Sequence, residues 1–549
     1  MKIKFKKLLQ TVNWNKVLIV GVVAFIVATI NILHVIIGFA KTPPGMMYMW
    51  TGHYYLDYFQ YVQAIAQGMQ GKWLLENPLT LEDNSKTFVG MWQNLFFGKI
   101  GGLFHLSPIT TYWLTVFILT LILCFLIFKL IRQLLKGESF IKQIVAYVLT
   151  LFAAPFFQII KNGSTFSILR FDFWSDKSVL WKRFGSIPYH LSADIIVIVI
   201  LLLIGNIWER LDKLSFRSLL IKTILISFLT IFLLTFSPSS ALLIGCAIGL
   251  SSLFIFIKSV LRREKKQLGR IVIFSLIFLS LFVAAGLLIR SYLLTTYYSI
   301  AFGFEKAWQE KPKIAQFVLT HGPLFLLAFL GIVTYIRHLT KIRLVFLSFV
   351  IGSYTLFFSP LALLLSTTNT RFLSSLSYVL FAVLAVLWIK KTRYLLILGL
   401  FVLFFSLPSN IVSFQTIIND KNIDSPISYL PIGVVDAFKY IDKVPERGNV
   451  LTTPSQFLGC VVTIFTTRKT YVGRHNITIN YLDKNITSSN FYLGAMTNEQ
   501  AEEFLQKNGI RLVMWTSIEG YELKALYRYP FLKEVYKNKD SVIFKVNNS

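Results

Sequence analysis

The sequence predicts a polytopic α-helical membrane protein of about eleven spans, with a small extracytoplasmic α/β domain at its C-terminal end. Three observations predict it. Apolar runs long enough to cross a bilayer recur through the first three quarters of the chain, and basic residues gather in the short loops between alternate runs. Beyond residue 413 the composition becomes that of an ordinary soluble domain. Of 549 residues 55% are hydrophobic and only 15% charged, with a mean hydropathy of +0.63. A soluble chain of that length would cover its cores with a far more charged surface.

The runs fall at 17–40, 109–131, 143–160, 192–208, 223–237, 241–257, 271–289, 321–336, 344–365, 372–389 and 394–411. Several sit near the lower limit of length for a span, so a pair of them is short enough to be re-entrant. The first follows Lys2, Lys4, Lys6, Lys7 and Lys16 and is too long for the apolar core of a cleaved signal, which makes it an uncleaved span. With the N-terminus in the cytoplasm, alternate loops are expected to be basic, and five are. They carry Lys136 and Lys142; Arg210 to Lys222; Lys258 to Arg270; Arg337 to Arg343; and Lys390 to Arg393. The membrane domain is therefore 1–413, a multi-pass protein of the plasma membrane. Its long outer loops are 41–108, 161–191 and 290–320, and residues 414–549 lie on the same outer face.

The net charge of +29 follows this topology. Residues 1–413 hold 39 basic residues against 13 acids, whereas 414–549 hold 16 against 13. The excess sits in cytoplasmic loops, which excludes a nucleic-acid footprint. Cys124, Cys246 and Cys460 form neither a disulfide framework nor a zinc spacing. In the C-terminal domain the pattern predicts helices at 432–443 and 498–507. It predicts strands at 449–452, 469–472, 510–515, 531–537 and 541–546.

The cytoplasmic loops are too short for a catalytic domain, so the chemistry is expected outside. That face holds Asp57, Glu76, Glu82, Asp83, Asp172, Asp176, Asp194, Glu305 and Glu310, with His53, His105, His190, His321 and His475. Asp57 opens a stretch with Phe59, Val62, Ile65 and Ala66 at helical spacing, read as a helix lying on the membrane surface; a second is expected from 88 to 104. His53 and Asp57 are four apart and share a helix face. Asp57 is either a general base tuned by its aromatic surroundings or an acid favoured by the helix dipole. His190 and Asp194 repeat the spacing, as a binding pair or as a helix start capped by Ser192. Arg371 runs against the inside-positive bias, so a specific partner is expected. That partner is a lipid phosphate or the headgroup layer, and Lys182 and Arg183 raise the same possibility. Gly473 allows a sharp turn presenting Arg474 and His475, as acceptor contacts or as ordinary surface residues.

The first loop, Leu56-Asp-Tyr-Phe-Gln-Tyr-Val-Gln-Ala-Ile-Ala-Gln-Gly with Trp73-Leu-Leu-Glu-Asn-Pro-Leu-Thr, resembles that of bacterial members of the GT-C superfamily. Ile187-Pro-Tyr-His190 and Tyr471-Val-Gly-Arg-His-Asn-Ile-Thr478 share the resemblance, as does the layout of nearly the whole chain. It implies a cell-envelope glycosyltransferase, hexosyl or pentosyl, that uses a polyprenyl-phosphate sugar and a glycan, lipid or protein acceptor. Asp57 inherits the first-loop acid's role of activating the acceptor or helping to hold a divalent metal. The tandem acids of many members are replaced here by Asp57-Tyr58, leaving Asp172 and Asp176 as the other candidate metal ligands. His53, His190, Arg183, Arg371 and His475 are the implied substrate contacts. A flippase for lipid-linked glycans and a non-catalytic scaffold remain as alternatives, although no internal repeat of the transporter kind is present.

The topology is open to test in a background lacking the three native cysteines. Lys539→Cys is expected to react with a membrane-impermeant maleimide in intact cells, and Lys265→Cys only after the membrane is opened. The reverse pattern would invert the assignment.

Overall fold

The computed structural model describes residues 14–52, 55–82, 86–173, 177–300, 303–419, 427–445 and 448–547, and only the backbone of Asn162 and Gln456. Among them nine helices are long and apolar enough to cross a membrane. These are Trp14–Ala40, Pro108–Leu134, Pro188–Glu209, Phe216–Leu234, Pro238–Leu261, Lys265–Leu294, Ile314–Arg337, Lys341–Phe358 and Thr392–Ile418. Each coincides with a predicted run. Where they leave basic loops, hydroxyls cap them: Ser215 accepts from the Ser218 amide and Thr340 from the Arg343 amide.

The other two runs form shorter helices, Phe140–Phe152 and Ser377–Leu387. They pack on one another, and every residue of Ser377–Leu387 is buried. The 13 residues of Phe140–Phe152 span only about 20 Å, against the ~30 Å of a hydrocarbon core. The run read as a span to residue 160 thus stops eight residues early, before Pro155. Residues 157–162 instead pair with 165–170 as an antiparallel hairpin.

A helix ending among other helices exposes carbonyls that nothing but protein satisfies. Here Arg183 supplies most of the donors. Its Nη1 donates to the carbonyls of Thr150 (2.6 Å) and Leu151 (2.9 Å), and its Nη2 to those of Ala153 (2.7 Å) and Ser178 (2.8 Å). Asn410 donates to Phe152, Ser409 donates to Pro155, and Ser406 accepts from the Ala154 amide. Gly322 interrupts the helix Ile314–Arg337 at φ 74°, and a Cβ there would strike the Ala154 carbonyl. Asn31, a polar residue inside the first span, is also structural: it donates to Thr120 Oγ1 and accepts from Ser186.

The chain folds as two compact units. The first comprises Met1–Leu33, Val116–Ile289 and Gly303–Gln415; the second comprises His34–Thr115, Arg290–Phe302 and Thr416–Ser549. Within the second, a four-stranded sheet runs in the order Asn449–Leu451, Ile510–Thr516, Ser541–Val546, Leu532–Lys537, with the first pair parallel and the others antiparallel. Helices Gln456–Phe465, Tyr481–Tyr492 and Asn498–Lys507 lie in the crossover of the parallel pair. Phe491, Tyr492, Phe504 and Phe544 are in its core. The predicted strand at 469–472 is reduced to a single bridge, Val450 to Thr470.

The first outer loop belongs to the same unit as this sheet. Its strand Met46–Tyr48 pairs with Tyr429–Pro431. The helix Tyr55–Met69, expected to lie on the membrane surface, is covered by protein on its polar face as well as its apolar one: Leu56 and all residues from Tyr58 to Gly68 are buried. It packs on Gln93–Leu103 and Gln456–Phe465. Gly68 and Gly98 make the first crossing close, since a Cβ on either would meet the carbonyl of Leu95 or Ile65.

Arg183→Leu is expected to lower the thermal midpoint of the purified protein sharply, because each orphaned carbonyl costs about 1–3 kcal/mol. Arg183→Lys, which lacks the fork, is expected to recover only part of it. An unchanged midpoint for Arg183→Leu would rule out the capping role.

Candidate active site

Asp57 sits in the first turn of Tyr55–Met69, where unpaired amides favour a carboxylate. Its neighbours are committed to packing. Tyr58 is fully buried and donates to the Met49 carbonyl at 2.9 Å, and Phe59 packs on Phe457. Asp57 keeps a partly exposed side chain, at 36%. Its Oδ1 lies 2.5 Å from Nη2 of Arg474, and Nη1 of Arg474 donates to Oε1 of Gln60 at 2.7 Å. Gln60 is one turn beyond Asp57, so both partners of the guanidinium are on one helix face. Arg474 itself is buried.

The segment that delivers Arg474 is tied down independently. The Thr470 amide donates to Pro78 O (2.9 Å), Asn77 Nδ2 to Ile477 O (2.7 Å) and Thr478 Oγ1 to Leu79 O (2.7 Å). Lys484 pairs with Glu82 at 2.6 Å. Burial raises the Glu82 carboxyl, but hydrogen bonds from Lys484 and Thr80 outweigh it and leave the group below its usual range. Gly473 precedes a turn at 475–477 and is not itself left-handed. Its smallness is needed because a Cβ would meet the Leu79 side chain.

His475 follows, half-buried beside Tyr481; burial and then the Arg474 charge hold its imidazole below the usual range. His190 packs against Tyr189 with ring centroids 4.1 Å apart and the rings tilted by 32°, next to the left-handed Gly185. Asp194 accepts from Ser375 at 2.6 Å. Arg371 has the specific partner its position called for, and that partner is a carboxylate. Nε donates to Glu305 Oε2 at 3.1 Å, Nη2 pairs with Oε1, and Thr367 also donates to Oε2. Burial raises the Glu305 carboxyl, but the Arg371 charge and these hydrogen bonds hold it below its usual range. Both terminal nitrogens of Arg183 are engaged with carbonyls, which makes it a helix cap rather than a phosphate contact. Asp172 pairs with Arg170 (2.9 Å) and Lys182 (3.3 Å). His53 and Asp176 lie outside the described residues.

No family model matches the sequence, and no curated protein matches it. Solved structures do. Over 98% of its length the chain follows 40% of the arabinofuranosyltransferase AftD from mycobacteria, with a TM-score of 0.53 at 11% identity. Over 91% it follows 69% of the oligosaccharyltransferase of Archaeoglobus fulgidus, with a TM-score of 0.51 at 11% identity. The chain has the GT-C fold.

On this GT-C fold Asp57 is an accessible carboxylate with one oxygen fixed and, among the described residues, no partner other than Arg474. That arrangement suits proton abstraction. It does not suit a metal. Asp57 and Asp172 each face a guanidinium, and no three His, Cys, Asp or Glu side chains among the described residues gather around one point. The first unit also contains an apolar cavity of about 700 Å³ between Ile314–Arg337, Lys341–Phe358 and Ser377–Leu387. Phe325, Phe329, Tyr354, Phe358 and Phe381 supply its walls. Gln60 stands in the first-loop stretch without being singled out there, and its sequence signal is its place one turn after Asp57.

Glu519, in the turn after Ile510–Thr516, also escaped that reading; burial pushes its carboxyl up to about 7 against a hydrogen bond with Ser455. The folded state then binds more protons than the unfolded one between pH 4.5 and 7, so the contribution of this group to stability falls as pH rises through that window. Relative to wild type, Glu519→Gln is therefore expected to gain in thermal midpoint from pH 4.5 to 7. A constant difference would reject the assignment.

Proposed function

We propose that the protein transfers a sugar from a polyprenyl-phosphate donor to an acceptor hydroxyl on the extracytoplasmic face, with Asp57 as general base. The observation that carries this reading is the state of the Asp57 carboxylate: Oδ1 is held by Arg474, and the group is partly exposed at the start of a buried helix. The other oxygen, Oδ2, takes the acceptor proton as the acceptor oxygen bonds to the anomeric carbon. The bond from that carbon to the phosphate oxygen breaks, and its electron pair leaves with the lipid phosphate. Phosphate carries that charge without protonation, so no carboxylic acid is needed on the leaving side, unlike the paired carboxyls of a glycosidase. The apolar cavity among the helices supports a lipid-borne donor. His190 and His475 are proposed substrate contacts. Arg371 remains a proposed phosphate contact, with Glu305 giving way to the phosphate oxygens.

The test uses membranes containing wild type or Asp57→Asn, supplied with radiolabelled polyprenyl-phosphate hexoses and pentoses. Transfer to endogenous acceptor is expected to fall roughly 10²–10⁴-fold in the variant. Equal transfer would dismiss Asp57 as the base, and no transfer by wild type from any donor would dismiss the reaction.

A further inference from the structure

We infer that Arg474 is a positioning residue for the reaction: it fixes one carboxylate oxygen of Asp57 so that the other is presented to the acceptor in a single orientation. The inference rests on the glycosyltransferase reading and deepens it, because it makes residue 474 part of a centre that begins in the first loop.

Three observations carry it. First, the ion pair is not needed to join the two segments, since the bonds of Asn77, Thr470, Thr478 and Lys484 already do so. Second, its burial is lopsided. Arg474 is 9% exposed at the side chain and Asp57 36%. An exposed ion pair contributes little to stability, and burying a guanidinium costs more than such a pair returns, so stability alone is a poor account of the arrangement. Third, Gln60 occupies Nη1 and leaves Nη2 aimed at Oδ1. The guanidinium is held at two points on one helix face, which removes rotamer freedom from Arg474 and Asp57 together. A base fixed in this way enters the reaction already oriented, where a displacement of about 1 Å can cost roughly 10²-fold in rate.

The experiment measures initial transfer rates in membranes carrying the full chain, at varied concentrations of a radiolabelled polyprenyl-phosphate sugar that wild type uses. Arg474→Met is expected to lower the maximal rate roughly 10²-fold while the donor KM stays within about threefold. Arg474→Lys is expected to keep an intermediate rate, and ethylguanidinium to raise the rate of Arg474→Ala. An unchanged maximal rate for Arg474→Met would overturn the inference. So would a raised KM at an unchanged maximal rate, which would make Arg474 a donor ligand. A loss no larger than the loss of folded protein, with no rescue by lysine or ethylguanidinium, would reduce it to a structural tie. If Asp57→Asn loses transfer and Arg474→Met does not, only the positioning role falls; if Asp57→Asn retains transfer, the general-base reading falls with it.

Discussion

A helix that stops partway among its neighbours has carbonyls with no water to turn to, and the first unit is organised around that constraint. Pro155 prevents Phe140–Phe152 from continuing, and the freed backbone is met by Arg183, Ser406, Ser409 and Asn410. The helix Ile314–Arg337 breaks at Gly322, just before Pro323, and the position is glycine because any side chain there would collide with the Ala154 carbonyl. Polar residues in these helices therefore act mainly as backbone partners. Asn31 is the exception, a side-chain link whose amide is shared between the hydroxyls of Thr120 and Ser186.

The second unit meets a different demand, which is to hold a charged group at a defined place near its surface. It does so by burying nearly all of Tyr55–Met69. The amphipathic pattern of that helix is real, yet its polar face is also covered. Gln67 exchanges hydrogen bonds with the Glu76 backbone, and Gln60 receives Arg474. With the helix locked on both faces, the first-turn carboxylate of Asp57 has little freedom except at its own side chain.

How much of this was legible in the sequence depends on the range of the interaction. Long apolar runs and short local patterns were readable, so nine spans fell in place, as did Ile432–Lys443, Asn498–Lys507 and Ser541–Val546. Hydropathy could not tell Phe140–Phe152 from a full span, because Phe156–Ile160 is as apolar as a helix continuation and becomes a strand only through pairing with 165–170. The helix Gln456–Phe465 reads equally well as a buried strand, and Tyr481–Tyr492 has too little apolar contrast to be noticed. Gln60 was invisible for a related reason: its partner is 414 residues away.

The three arginines show where sequence reasoning about charge runs out and geometry takes over. Each stands in a segment predicted to face outward, and for each a specific partner was a fair inference. The identity of the partner decides the role. Arg183 has four carbonyls, which makes it part of the backbone's hydrogen bonding. Arg371 has Glu305 on two nitrogens, a neutral pair that a lipid phosphate would have to displace. Arg474 holds a carboxylate by one oxygen and leaves it partly exposed. Of the two carboxylate pairs, Arg474 holds its partner through one oxygen and leaves it the more exposed, at 36% against 26% for Glu305, and it is there that a fold shared with glycosyltransferases becomes an argument about chemistry.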